Sequence, residues 1–384
     1  VFYRDVFNVK DYGAYGDGIN DDTVSIGAAI SDALASTNGG CVYFPAGIYK
    51  ISASLSYQTC GKSLMFLGDG PATSIVAVGA ITNALFDLKS TTNFVQFHFR
   101  NLCLRTTVSS LNAIKIECAP ASTSHRYNLL LMDGVTICSG DPSGYAAWNV
   151  GVEMKYASNA AFTNCTIAGS GNNGPGYGIS ITGLCVNTVI SNCNINFWQY
   201  GIHCPVYQEG IALVNCLFIG VTYGFYSKSD QSLRSTNHLI SNTHIDVRGN
   251  NSRALWFENV SEVFVSNCLF NNGGGGVSDN MVYWLRVFEA GIVNSQIYGP
   301  TTRGIYLGGL AVSPYGTLYC ISINILGNNF RVTDNTYAID ATVYSANITA
   351  QYNLSADPSS NYSNTIVTTA NLNSGTGNNI QATN

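Results

Sequence analysis

A six-residue phrase of alternating apolar and polar positions recurs along the middle of the chain. It reads FTNCTI (Phe162 to Ile167), ISNCNI (Ile190 to Ile195), LVNCLF (Leu213 to Phe218), ISNTHI (Ile240 to Ile245), VSNCLF (Val265 to Phe270) and IVNSQI (Ile292 to Ile297). Its asparagines, Asn164, Asn192, Asn215, Asn242, Asn267 and Asn294, follow one another at steps of 28, 23, 27, 25 and 27 residues. Self-similarity at that period predicts a solenoid, propeller or array, and the short alternating runs predict strands. Inside each phrase the alternation breaks phase. In ISNCNI, Ile190 lies two positions before Asn192, whereas Cys193 and Ile195 lie one and three after it. Side chains along a strand alternate at period two, so Ile190 and Cys193 share one interior only if the chain bends at Ser191-Asn192. Asparagine tolerates the left-handed conformation such a bend needs. Coils stacked about 4.8 Å apart would then place Asn above Asn, as an amide ladder inside the turn.

A second column precedes these phrases. It reads Ala113 to Ile116, Gly151 to Met154, Gly178 to Ile181, Gly201 to Cys204, Gly224 to Ser227, Ala254 to Phe257, Met281 to Trp284 and Gly304 to Leu307, and ends at Ala338 to Asp340. Its second and fourth positions are mostly apolar and face a core, so the third faces out. The outward positions form a strip: Lys115, Glu153, Ser180, His203, Tyr226, Trp256, Tyr283, Tyr306 and Asp340. LMFLGDG (Leu64 to Gly70), FHFRNLCL (Phe97 to Leu104) and LLMDGVTI (Leu130 to Ile137) read as earlier, less regular versions of the Asn phrase.

The opening differs. FNVKDYGAYGDGINDDT (Phe7 to Thr23) is followed by a helical periodicity with Ile26, Ala29, Ile30, Ala33 and Leu34 on one face, closed by Asn38, Gly39 and Gly40. CVYFPAGIYKIS (Cys41 to Ser52) then reads as a strand broken by a Pro-Ala-Gly turn. The helix would cover the otherwise raw end of a stack of strands. Asp17, Asp21 and Asp22 could be taken for a metal site. Turn hydrogen bonds and helix capping explain all three, and no metal is assigned to them.

NVKDYGAYGDGINDDT, the short helix and GGCVYFPAGIYKIS together resemble the start of the pectate-lyase-like right-handed parallel β-helices. That family includes bacteriophage tailspikes and polygalacturonase-like proteins. The resemblance implies an all-β, single-stranded parallel β-helix with an N-terminal capping α-helix. We divide the chain into a start motif over residues 1–50, a β-helix over 51–355, and a C-terminal cap, oligomerisation segment or linker over 356–384. Of the tailspike type, the resemblance further implies a homotrimer, in a virion tail or otherwise outside the cell, acting on a bacterial capsule or O-antigen.

Composition narrows the alternatives. The chain has 384 residues, of which only 10% are charged, with a formal net charge of −5. No basic stripe is present, so no nucleic-acid partner is expected. The longest uncharged run, Gly304 to Phe330, is broken by Pro314 and many polar residues, so no membrane insertion is expected. Val1 opens no charged-then-apolar leader, so no signal peptide is read, and domains before Val1 or after Asn384 stay open. Four of the twelve cysteines, Cys165, Cys193, Cys216 and Cys268, share the slot after the repeating Asn, which marks them as reduced packing residues. Without a CxxC pair or clustered histidines, neither a zinc site nor any cofactor is expected.

Chemistry is sought on the strip. A row of aromatics (Tyr226, Trp256, Tyr283, Tyr306) suits an extended sugar chain, because ring faces stack on pyranose C–H groups. Glycoside hydrolysis needs two carboxyls about 5–5.5 Å apart, or about 6.5–9.5 Å if inverting. Adjacent and alternate coils offer about 4.8 and about 9.6 Å. The candidates are Glu258, two residues beyond Trp256, with Asp230 in the turn after Tyr226, and Glu153. An eliminating lyase would instead use His203 with Tyr226, and Lys155 beside Glu153 to neutralise a uronate. The expected function is an endo-acting polysaccharide depolymerase of glycoside-hydrolase type, with a uronate lyase and a non-catalytic receptor-binding spike, adhesin or structural β-helix as the alternatives.

Overall fold

A computed structural model describes residues 5–92, 94–118, 129–138, 147–170, 176–230, 233–274, 276–308, 320–333, 337–341, 345–351, 353–355, 361–362, 366–369 and 372–373. The chain forms two compact units, residues 1–196 and 197–384. Both are parallel β-solenoids, as the repeat predicts. In the first unit the strands Leu111–Glu117, Leu129–Asp133 and Thr136–Ile137 lie on Trp148–Lys155, Ala161–Thr163 and Thr166–Ala168, one coil on the next. In the second, Tyr223–Lys228, Ser235–Ser241 and His244–Val247 lie in the same way on Arg253–Ser266 and Leu269–Asn272. Every strand pairing described is parallel and close to register, so each sequence slot stacks on the equivalent slot one coil away.

The helix α1, Thr23–Ala35, buries Ile26, Ala29, Ile30 and Ala33 and packs against the strands Asp5–Asn8 and Gly40–Phe44. Leu34, expected on that face, is only half-buried. The three opening aspartates bind turns. Asp22 is fully buried and accepts from the Tyr15 and Gly16 amides at 2.6 and 3.1 Å. Asp17 accepts from the amides of Ile19 and Asn20, and Asp21 from Thr23.

In the coils from Asn101 to Gly327 the expected bend is present at the corner. Asn164, Asn192, Asn215, Asn242, Asn267 and Asn294 all have φ between 48° and 54°. Asn101, Gly134 and Gly327 hold the same place in other coils at φ 53°, 62° and 65°. The left-handed residue resets the period-two phase, so Ile190 and Cys193 both face the core, and both are buried. Its amide N–H bonds across to the next coil, as in Asn215 N to Ser241 O at 3.1 Å and Asn267 N to Val293 O at 3.1 Å.

The amide ladder does not lie where the sequence reading put it. The six corner asparagine side chains are exposed. The buried ladder occupies the following slot, which holds Cys216, Thr243, Cys268, Ser295, Asn328 and Asn353 in the second unit. The Cys268 amide donates to Ser295 Oγ at 3.1 Å, the Ser295 amide to Asn328 Oδ1 at 2.9 Å, and the Asn328 amide to Asn353 Oδ1 at 2.9 Å. Thiols in this slot act as hydroxyls do. Cys216 and Cys268 donate to the carbonyls of Val214 and Ser266, as Thr243 and Ser295 do to Ser241 and Val293. A left-handed residue throws its own side chain outward and turns the next one in, so the inner polar slot falls one position late. The twelve cysteines form no disulfide, and all but Cys138 are buried.

Segments beyond residue 355 include the short strands Asn361–Tyr362, Ile366–Thr369 and Leu372–Asn373, paired in parallel with the preceding coil. The rest of the expected C-terminal segment lies outside the described residues.

Two substitutions separate the corner from the ladder. Asn267→Gly keeps the left-handed backbone and should change stability by no more than about 0.5 kcal/mol. Asn328→Ala removes the side-chain acceptor of the buried Ser295 amide, at about 1–3 kcal/mol. Urea unfolding should show the difference, and the Ser295 amide should lose hydrogen-exchange protection in Asn328→Ala alone.

Candidate functional site

Parallel register turns one outward slot into a column in the second unit. His203 lies opposite Tyr226, Tyr226 opposite Trp256, Trp256 opposite Tyr283, Tyr283 opposite Tyr306, and Tyr306 opposite Asp340. The flanking slots point inward and hold buried residues such as Phe225 and Phe257, or Val282 and Trp284. The column therefore stands on the core, and its rings touch. His203 stacks on Tyr226 with centroids 5.3 Å apart and planes 12° apart. Tyr226 meets Trp256 edge-on at 4.8 Å, Trp256 meets Tyr283 at 6.1 Å, and Tyr283 stacks on Tyr306 at 5.1 Å.

Two rings of the cluster escaped the sequence reading. Tyr200 packs on His203 at 4.9 Å and on Tyr223 at 4.7 Å, and Tyr223 packs on Trp256 at 5.1 Å. They lie three residues before His203 and Tyr226, an odd offset that a straight strand would send inward. The signal was the glycine after each. A Cβ at Gly201 would sit 2.7 Å from the Gly224 carbonyl oxygen, and one at Gly224 would sit 2.5 Å from that of Ala254. The backbone kinks there, and the tyrosines swing out.

Charged groups brace the rings. The Arg253 guanidinium lies 4.3 Å from the Trp256 ring centroid and 4.1 Å from that of Tyr283. Asp279 pairs with Arg253 at 3.7 Å and with Arg303 at 3.1 Å, and Arg303 bonds Asp340 at 2.7 Å. Glu258 is 8% exposed, accepts from Trp256 Nε1 at 2.9 Å and pairs with Lys228 at 3.0 Å.

The candidate carboxyls and bases fall into place as follows. Asp230 is exposed and its carboxylate accepts from the Leu233 amide at 3.0 Å, a turn bond. Asn259, the residue after Glu258, donates through its side chain to the Asp230 carbonyl, so Asp230 and Glu258 share one corner of adjacent coils. In the first unit, Glu153 and Lys155 line a groove of about 220 Å³ with Lys115, Glu117 and Thr182. Glu153 accepts from Asn112 Nδ2 at 2.9 Å, and Lys155 lies over the Tyr156 ring. Ser180 holds an outward slot but is buried, its side chain being too short to clear its neighbours. No group of three or more His, Cys, Asp or Glu with metal-holding geometry occurs among the described residues.

Burial sets the protonation of the rings. His203 is lowered to about 4 by desolvation, so its imidazole is neutral near pH 7. Tyr226 is raised to about 12, first by burial and then by the charge of Glu258. Tyr283 and Tyr306 are raised mainly by burial. The three phenols remain hydrogen-bond donors throughout the neutral range.

The profile of the rhamnogalacturonase A/epimerase, pectate-lyase-like family matches residues 6–226, more than half of the chain. The chain belongs to this family. Among the relatives it matches, mannuronan C5-epimerase AlgE4 of Azotobacter vinelandii is 43% identical over 81 residues, 21% of this chain and 14% of that protein. Alginate lyase 7 of the same organism is 56% identical over 46 residues, 12% of this chain and 5% of that one. The chain thus covers only a small fraction of these relatives' length. Among solved structures, the AlgE4 A-module of A. vinelandii has a TM-score of 0.66 at 20% identity, covering 97% of this chain and all of that one. The Dettilon tailspike protein gives 0.60 at 13% identity, over 93% of this chain and 66% of that one. Bacteriophage CBA120 tailspike protein 3 gives 0.58 at 12%, over 98% and 62%. At such identities the likeness is one of fold.

Acid should loosen the second unit through its buried imidazoles. His238, fully buried between Phe225 and Phe257, is lowered to about 3 by desolvation. His203 and His238 thus bind protons more weakly folded than unfolded. The unfolded state takes up more protons below about pH 6.5, so their stabilisation is complete above that pH and falls as pH drops toward 4 and then 3. NMR titration should give His203 a midpoint near 4, and the urea midpoint should fall between pH 6.5 and 4 by less in His238→Gln than in the parent.

Proposed function

We propose that this chain is an endo-acting depolymerase of a bacterial surface polysaccharide, of glycoside-hydrolase type. The observation that carries the reading is the unbroken column of rings from His203 to Tyr306, each in register with the next. Coils about 4.8 Å apart repeat the rings at close to the length of a sugar unit, so successive sugars of an extended chain can lie along successive coils. Glu258 is the carboxylate best placed beside this platform, paired with Lys228 and oriented by the Trp256 indole N–H. Asp230, at the same corner, is proposed as the second carboxyl, reached when substrate displaces its turn bond. Glu153 and Lys155 are proposed as polar contacts for sugars at the first unit's groove.

The relatives support a polysaccharide as substrate. Two are named for acting on mannuronan or alginate, and two structural neighbours are tailspikes. By the tailspike likeness we propose a homotrimer on a virion tail or otherwise outside the cell, with residues 356–384 as its cap or oligomerisation segment. No described helix is long and apolar enough to cross a membrane. One observation favours a second reading, β-elimination. His203 is a neutral imidazole stacked on a tyrosine that holds its proton, which is a base and acid pair suited to lyase chemistry.

Incubation with purified capsules and O-antigens, following chain length, new reducing ends and the ultraviolet absorbance of unsaturated ends, separates the readings. Hydrolysis gives reducing ends without absorbance, and elimination gives both. Glu258→Gln should lower the rate on the order of a hundredfold with binding kept, and His203→Gln much less. Trp256→Ala should weaken oligosaccharide binding about tenfold with unchanged circular dichroism. Binding without shortening of any polymer would remove the enzymatic reading.

A further inference from the structure

The charges around the ring column cancel one another. Lys228 is paired with Glu258, Arg303 with Asp340 and Asp279, and Arg253 with Asp279. Three cations face three carboxylates. Arg253 also lies 4.3 and 4.1 Å from the Trp256 and Tyr283 ring centroids. Lys228, Arg253 and Arg303 are the cations that pair or stack along this column among the described residues, and each is engaged. The half-buried imidazole of His203 adds no charge near neutral pH.

A polyuronate laid on such a surface brings one carboxylate per sugar. Each would meet a ring, or an acid whose cation is already engaged. Recruiting Lys228 would leave Glu258, almost wholly buried, without its counter-charge. Lys228 is itself 46% exposed, so drawing it away costs Glu258 part of its counter-charge, while a new ion pair at an exposed surface returns little. Stacking and hydroxyl contacts carry no such penalty.

We infer that the column from His203 to Tyr306 takes an uncharged stretch of polysaccharide, built of neutral pyranosides, and discriminates against polyuronates. This rests on the ring column being the glycan platform proposed above. It separates the chain's substrate class from the mannuronan and alginate of its relatives' names, and it disfavours elimination, which needs a uronate.

Matched six-sugar oligomers test it, since each pair differs only at C6. β-1,4-Mannohexaose is compared with the mannuronate hexamer, glucohexaose with the glucuronate hexamer, and galactohexaose with the galacturonate hexamer. Affinity is read by quenching of tryptophan fluorescence and by calorimetry, at about 0.05 M and about 0.5 M salt. The inference expects the neutral member of any bound pair to be at least tenfold tighter, with an affinity that changes less than twofold with salt. Tighter binding of a uronate member, with affinity falling as salt rises, overturns the inference and leaves the platform standing. Failure of every oligomer to bind overturns the platform reading itself, and the inference with it. A second arm uses the Asp279→Asn/Asp340→Asn double variant, which frees Arg253 and Arg303. Its uronate affinity should rise about tenfold at low salt and return to the parental value at high salt. A folded double variant with no such gain overturns the inference, and if the variant does not fold the parental salt comparison decides.

Discussion

From Asn101 to Gly327 each coil turns one corner through a single residue in the left-handed conformation, and the rest of the architecture depends on it. At φ near 50° the chain resets its alternation, so apolar side chains before and after the corner enter the same core. The same residue points its N–H at the carbonyl of the next coil, which carries the hydrogen-bonded stack past the bend without a gap. An L-residue there costs roughly 1–2 kcal/mol of conformational strain, which asparagine reduces and glycine avoids. The cost recurs coil after coil and is offset by the inner slot that the bend creates. There, thiols, hydroxyls and finally amides donate to backbone carbonyls of the same corner or of the neighbouring coil.

Stacking in register makes function a matter of columns. Once the corner fixes the phase, a residue type repeated in one slot becomes a continuous line, as with the inward Phe257 and Trp284 beside the outward Trp256 and Tyr283. The rings lie on strands rather than loops and are held by one another and by Arg253. Binding to such a surface orders few side chains, which favours a weak, repeated interaction such as sugar stacking.

The fold was legible because its period and its phase break are both written in the six-residue phrase. The phrase also located the outward column from His203 to Tyr306, since strand alternation alone sets that phase. It did not reveal which way the corner amide points, because an amide turned inward and one turned outward give the same pattern of letters. Only the backbone shows that the polar ladder lies one slot later. Tyr200 and Tyr223 were lost for a related reason. A kink at Gly201 and Gly224 reverses the phase over three residues, and counting by twos places both tyrosines in the core. Ion pairs such as Arg303 with Asp340, 37 residues apart, were beyond reach because the loops between coils vary in length.

Those ion pairs bear most directly on what the column can hold. A surface built to capture a polyanion would leave its cations extended and solvated, ready to exchange one partner for another. Here Arg253 lies against two rings, Arg303 is fixed by two aspartates, and Lys228 serves a carboxylate that water barely reaches. These contacts set ring orientation and cancel charge in the same stroke. The guanidinium that keeps Trp256 and Tyr283 in place is therefore not free to bind a sugar carboxylate without disturbing the platform on which that sugar would rest. Rigidity of the rings and indifference to anionic sugars follow from one arrangement of charges.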